Sequence, residues 1–305
     1  MPCTPVPGWY RTCGCMIGKG IILAGGAGTR LYPLSRVVCK QLLPVYDKPM
    51  IYYPLATLMQ SGIRDVLLIS TPKDLPRFQE IFGDGAQLGL AIRYAKQDRP
   101  EGIAHAFILA ADFIGSDPVA LILGDNLFHG RTEAFLNARS LTSGALVFGY
   151  LVGEPRRYGV LEFDAKGRVT GIEEKPDRPK SSYAVPGFYA YDARVVEFSR
   201  AVKPSSRGEL EITDVNLAYL RRGELRVELL GRDLAWLDTG SPESLAQASH
   251  YIATIEDRQG VKIGCLEELA FELGYIGLEQ LEGLIAKMPP SPYRNYVDRV
   301  ARRAT

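Results

Sequence analysis

The chain is poor in the groups from which metal and redox centres are usually built. Its three histidines, His105, His129 and His250, lie far apart, and its five cysteines make an odd count. The spacing Cys13-x-Cys15 is wrong for a zinc knuckle, so the thiols read as reduced cytosolic groups with no shared task. Also missing is any apolar run near the ~18 residues that a bilayer span needs. The first sixteen residues are rich in Pro, Gly and Cys and lack the apolar core of a signal peptide. No sign of charge is in excess: 36 Lys and Arg face 35 Asp and Glu, and the cations are scattered. That argues against nucleic acid, whose binding leans on clustered cations, and no membrane partner is expected either. What remains is an ordinary globular composition, expected in the cytoplasm and long enough to bury a large core.

The most informative segment is Gly20-Ile-Ile-Leu-Ala-Gly-Gly-Ala-Gly-Thr-Arg-Leu31. An apolar strand runs into a glycine loop that ends in an arginine. In open α/β sheets, ligands bind where such a loop leaves the carboxyl edge. Gly25, Gly26 and Gly28 let backbone N–H groups close around phosphate oxygens, and Arg30 adds a planar charged fork. The spacing is neither G-x-G-x-x-G nor G-x-x-x-x-G-K-[ST]. A tight turn carrying a surface arginine is the alternative reading.

Through the first half, apolar runs alternate with helical patterns. Ile21–Ala24, Val66–Ser70, Ala91–Tyr94 and Val119–Leu123 read as buried strands, and Met50–Ser61, Leu75–Phe82 and Ile103–Phe113 as helices. Alternation of this kind predicts a Rossmann-like, mainly parallel sheet with helices on both faces. From Ala145 strands dominate: Leu146–Leu151, Val160–Phe163, Val169–Glu173 and Tyr183–Tyr191, with a hairpin signal at Asp164-Ala-Lys-Gly167. These predict a β-rich layer over the nucleotide half, with a cleft between. Helix Ile212–Arg221 and strand Leu225–Leu230 return to the core sheet, and a helical appendage follows Ser241. We expect one composite domain over 17–305, with a core of about 19–240 and a helical part of about 241–305.

Further motifs follow the loop in order: Lys40-Gln-Leu-Leu-Pro-Val-Tyr-Asp-Lys-Pro-Met50, Leu123-Gly-Asp-Asn126, Tyr158-Gly-Val160, Glu173-Glu-Lys-Pro176, Gly208-Glu-Leu-Glu-Ile-Thr-Asp214 and Ala235-Trp-Leu-Asp-Thr-Gly240. With their spacing, the set resembles the glucose-1-phosphate thymidylyltransferase family of sugar-nucleotide pyrophosphorylases from about Lys19 to Gln259. The resemblance implies transfer of a thymidylyl group from dTTP to glucose 1-phosphate, as the first step towards dTDP-rhamnose and related deoxysugars. A UTP-dependent uridylyltransferase and a catalytically silent nucleotide-sensing subunit are the alternatives. It also implies a homotetramer inhibited by its end product between subunits. Relatives begin near Ile17, so residues 1–16 are expected to be a disordered or mis-assigned extension.

The same resemblance assigns roles, each with its own chemical sense. Asp125 and Asp238 would hold Mg²⁺, which needs only one or two carboxylates beside phosphate oxygens and water; turn or cap residues are the alternative. Arg30 and Lys40 would grip the β- and γ-phosphates, and Lys175 the sugar phosphate or α-phosphate. Gly25, Gly28 and Thr29 would lie along the nucleotide. Gln41, Gln97 and the Gly102 backbone would read the base, because an amide matches the N3–H and O4 edge of thymine. Asn126, Gly159, Glu174 and the Val185 backbone would hold glucose hydroxyls, with Asn126 and Glu174 as acceptors. Lys48 reads as structural. Ala27, Cys39, Pro186 and Ser241 depart from the family pattern, and Cys39, beside Lys40, is expected to be a sensitive thiolate.

Overall fold

A computed structural model of the chain describes residues 17–26 and 28–303; the expectation for residues 1–16 therefore lies outside the described residues. In chain order the first seven strands are Lys19–Ala24 (β1), Pro44–Val45 (β2), Lys48–Pro49 (β3), Asp65–Ser70 (β4), Ala91–Lys96 (β5), Val119–Leu123 (β6) and Asn126–Gly130 (β7). Then come Ala145–Leu151 (β8), Gly159–Phe163 (β9), Val169–Glu174 (β10), Tyr183–Ala184 (β11), Phe188–Tyr191 (β12), Leu225–Leu229 (β13) and Leu234–Asp238 (β14).

Ten of these make one sheet in the order β10-β9-β11-β8-β12-β6-β1-β4-β5, with β13 also on β8. The nucleotide half, β6-β1-β4-β5, is parallel throughout. Beyond it β12 turns antiparallel to both β6 and β8, and the hairpin β9–β10 closes the far edge. The β-rich second half is thus a continuation of the same sheet. Side chains alternate across it, so the two faces bury different sets. Ile22, Leu68 and Ile122 face one core with Phe78 and Phe188; Ile21, Leu67 and Leu121 face the other with Phe107 and Tyr191. Strands buried on both faces read as continuous apolar runs, which is why β1, β4 and β6 were visible in the sequence.

Two expected elements are broken. The helix predicted over Ile103–Phe113 is two short ones, His105–Leu109 and Ala111–Ile114, separated at Ala110. The strand predicted over Tyr183–Tyr191 is interrupted at Val185-Pro186-Gly187, since Pro186 has no N–H to give a ladder. Among the described residues, four C-terminal helices follow Ser241. The first, Pro242–Gln259, packs Ala248 and Ile252 on Val45, Met50 and Leu127. Ser241 caps it: its Oγ accepts from the Ser244 N–H (3.2 Å), and the Ser244 Oγ accepts from the Ser241 N–H (3.0 Å). No helix among the described residues is long and apolar enough to cross a membrane.

Candidate active site

A cavity of about 210 Å³ opens at the carboxyl end of β6 and is walled further by residues of β9, β10, β12 and β14. Asp125 stands two residues beyond β6, and β7 starts immediately after it. The strand pair β7–β14 sets Asp238 opposite Asn126. Thr239 then locks the junction, donating from its N–H (3.1 Å) and Oγ1 (2.8 Å) to the Asp125 carbonyl. Two aspartates more than a hundred residues apart thus enter one cavity.

Their surroundings differ. Asp125 is paired with Lys40, and the Asn126 Nδ2 donates to its Oδ1 at 3.1 Å. Burial alone would raise its pKa, but Lys40 outweighs burial and holds the carboxyl below the usual range. Asp238 moves the other way: burial and the Asp125 charge push it up, against Arg30, Lys40 and Arg157. Arg157 lies 3.3 Å and the Tyr158 hydroxyl 3.4 Å from the Asp238 Oδ2. As a donor set, two carboxylates among cations fit a divalent ion that takes its remaining ligands from phosphate and water. No group of three or more metal-binding side chains occurs among the described residues.

Around the other wall lie Glu174, Lys175, Gly159 and Val185. The Thr213 hydroxyl donates to the Glu174 Oε2 (2.6 Å), while Lys175 and Arg207 approach its Oε1 at 3.5 and 3.4 Å. Lys175 holds a left-handed backbone (φ 46°), fixed by its N–H on the Tyr158 carbonyl at 3.0 Å. Such a conformation is uncommon outside glycine and sets the direction of the side chain.

Eight of the expected residues line this one cavity: Arg30, Asp125, Asn126, Gly159, Glu174, Lys175, Val185 and Asp238. Lys40 joins them through Asp125. Gly25, Gly28, Thr29, Gln41, Gln97 and Gly102 do not line it; they stand around the adjoining strand ends. Gln41 and Gln97 are almost fully buried, not solvated. Gln41 packs on Gly124, with no partner for its buried Oε1. Gln97 presses on Gly25, where a Cβ would overlap its Oε1. Gly102 has φ +97° and abuts the Leu210 backbone, a position closed to any other residue.

Two expectations need correction and a third is narrowed. The Asn126 Oδ1 already accepts from Trp236 Nε1 (2.7 Å) and the Gly187 N–H (3.0 Å), so both lone pairs are taken and only an N–H is left for a sugar. Of the Val185 backbone, the N–H is committed to the Gly159 carbonyl at 2.8 Å, so the carbonyl is the group left for a glucose hydroxyl. Cys39 is not a thiolate: burial and the Asp74 charge push it up to about 12. Lys48 is structural as expected, nearly buried and paired with Glu256 at 2.8 Å. The sequence reading gave no role to Arg157, Arg207, Thr213 or Trp236. Each stands in or beside a motif it had singled out, but their partners lie 33 to 110 residues away.

A cleft with cations, two carboxylates and a polar wall opposite, beside a glycine loop at a parallel strand end, has the parts that a nucleotidyl transferase needs. The sequence pattern of the nucleotidyl transferase family matches residues 19–255. A glucose-1-phosphate thymidylyltransferase of Xanthomonas campestris pv. campestris (strain B100) is 54% identical over 93% of this chain and 97% of its own. One from Mycobacterium tuberculosis is 52% identical over 93% and 99%. A Bacillus anthracis crystal structure, provisionally assigned as the same enzyme and complexed with a sucrose, is 42% identical, with a TM-score of 0.70 over 76% of this chain and 94% of that one. A UDP-glucose pyrophosphorylase structure, 24% identical, shares the fold alone. The chain belongs to the glucose-1-phosphate thymidylyltransferases of the nucleotidyl transferase family, and it is an enzyme of that class.

Proposed function

We propose that this chain joins dTTP and α-D-glucose 1-phosphate to give dTDP-glucose and pyrophosphate. An oxygen of the sugar phosphate attacks the α-phosphorus in line, and the bond to the bridging oxygen of the departing pyrophosphate breaks. Little covalent work falls to the protein; positioning and charge neutralisation do most of it. The observation that carries this reading is that both aspartates, Arg30 and Lys175 line the same cavity as Glu174, a carboxylate suited to accept from a polyol.

Asp125 and Asp238 would hold the Mg²⁺, which when bound supplies charge neutralisation and a common template for the two phosphates. Arg30 and Lys40 take the charge of the leaving pyrophosphate, and Lys175 that of the sugar phosphate. Glu174, held by Thr213, accepts a glucose hydroxyl, and Asn126 donates to one. Gln41 and Gln97 meet the base, and the unpartnered Oε1 of Gln41 calls for a hydrogen-bond donor from the nucleotide; left unpaired, a buried acceptor costs about 1–3 kcal/mol. We further read the protein as a cytoplasmic homotetramer serving deoxysugar synthesis, such as dTDP-rhamnose, under end-product inhibition. Family resemblance supports that part.

The test is to incubate the protein with glucose 1-phosphate, Mg²⁺ and, separately, each of the four dNTPs and UTP. Mass spectrometry should find dTDP-glucose, formed fastest from dTTP. A product formed only from UTP would make it a uridylyltransferase, and no product at all a sensing subunit.

A further inference from the structure

Gln97 follows the last residue of β5, and its N–H donates to the Ser70 carbonyl at 2.8 Å, which places it at the carboxyl edge beside β4. Its amide is held at both ends. The Oε1 lies against Gly25, and the Nε2 is 3.3 Å from the His105 Nδ1. An amide nitrogen only donates, so the Nδ1 is the acceptor and the imidazole proton sits on Nε2. That Nε2 is 3.4 Å from the Glu101 Oε2. Glu101 thus neighbours the His105 Nε2 as an ion-pair partner, and His105 hydrogen-bonds the Gln97 amide through Nδ1. The backbone keeps these residues in place: the Leu210 N–H donates to the Glu101 carbonyl (2.8 Å), and the Ala104 N–H to the Leu210 carbonyl (3.1 Å).

An amide turned by 180° keeps its shape but exchanges acceptor for donor. At Gln97 that turn would set the Oε1 against the lone pair of the His105 Nδ1. We propose that His105, oriented by Glu101, is a positioning residue for nucleotide choice: it holds Gln97 with its carbonyl towards Gly25 and the base. A carbonyl there accepts from the N3–H of thymine or uracil and opposes the N3 lone pair of cytosine. The proposal rests on the base-reading role given to Gln97 above.

The experiment compares wild type with Gln97→Ala, His105→Ala and His105→Gln, measuring kcat and KM for dTTP and the inhibition constant of dCTP. Loss of the amide's orientation should cost about one net hydrogen bond, a roughly tenfold fall in preference for dTTP over dCTP. In His105→Ala that fall should appear in KM far more than in kcat, with the KM for glucose 1-phosphate unchanged. Glutamine at 105 still offers an acceptor, so His105→Gln should keep most of the preference. An unchanged preference in His105→Ala with a lost one in Gln97→Ala overturns the relay alone. No change in either overturns the role of Gln97 and the relay with it. A loss that His105→Gln does not restore shows mere packing and overturns it as well. Should the protein form no product from dTTP, equilibrium binding of dTTP against dCTP reads the same preference, independently of the proposed reaction.

Discussion

At the scale of single residues, the site separates groups that touch reacting atoms from groups that aim them. As the proposed Mg²⁺ ligands, Asp125 and Asp238 belong to the first kind. Asn at either position keeps size and turn-forming capacity but removes the charge a cation needs. We expect Asp125→Asn and Asp238→Asn to fold normally and each lose at least ~100-fold in kcat, about 3 kcal/mol of transition-state stabilisation. The double variant should be far from additive. Turnover near normal at saturating Mg²⁺ would assign both to the turn. Glu174 and Lys175 divide differently. Glu174→Gln weakens a charge-assisted hydrogen bond, so mainly the KM for glucose 1-phosphate should rise, whereas Lys175→Ala should lower kcat too. If both changed dTTP binding alone, they would not serve the sugar phosphate. Cys39 shows how a neighbour in sequence misleads. Beside Lys40 it reads as an activated thiol, yet burial and Asp74 hold the proton on sulfur. Iodoacetamide at pH 7.5, chosen as an ordinary assay pH, should leave turnover unchanged with or without dTTP; inactivation that Cys39→Ser prevents would contradict this.

At the scale of elements, short pieces join long ones. The two-residue strand β3 carries Lys48, whose ammonium is paired with Asp47 and lies 2.8 Å from the Glu256 Oε1 on the first C-terminal helix. Lys262 approaches the Glu256 Oε2 at 3.0 Å, and the Ile263 N–H donates to its Oε1 at 2.9 Å. This cluster fastens the loop that follows Lys40 and Gln41 to the C-terminal helices. Removing one partner of a buried pair leaves its charge uncompensated, at about 3–5 kcal/mol. Because Lys262 still faces Glu256, Lys48→Ala should fall at the lower end, near 3 kcal/mol, by urea unfolding. A loss under about 1 kcal/mol would show that water or Lys262 replaces the ammonium.

At the scale of the molecule, one carboxylate ties three parts of the second half together. Asp192, just past β12, accepts from the Gly144 N–H (2.6 Å), the Tyr219 hydroxyl (2.8 Å) and Arg194 (2.6 Å). Burial raises its pKa, but these hydrogen bonds outweigh it and hold the group below the ordinary aspartate value. A folded pKa below the unfolded one means stability fully present above about pH 3.9 and lost as pH falls through the folded value. Asp192→Asn should therefore cost stability at pH 7 and flatten the acid limb below about pH 4. Urea unfolding across that range checks it; parallel acid limbs would place the acid sensitivity elsewhere.

What the sequence by itself determined is local or periodic. Continuous apolar runs specified β1, β4 and β6, because strands buried on both faces need them. The glycine loop and the helix Ile212–Arg221 were legible because turn chemistry and a 3.6-residue period are properties of neighbours, whereas the two aspartates were singled out through family resemblance. Only the tertiary structure decided that β7 pairs with β14, and hence that Asp125 and Asp238 share a cavity. It also decided that the Asn126 acceptor is spent on Trp236 and Gly187, that Cys39 keeps its proton, and that Gln97 leans on His105. Each of these depends on which distant group arrives at a hydrogen-bonding atom or charge. That choice is made by packing, and no spacing along the chain records it.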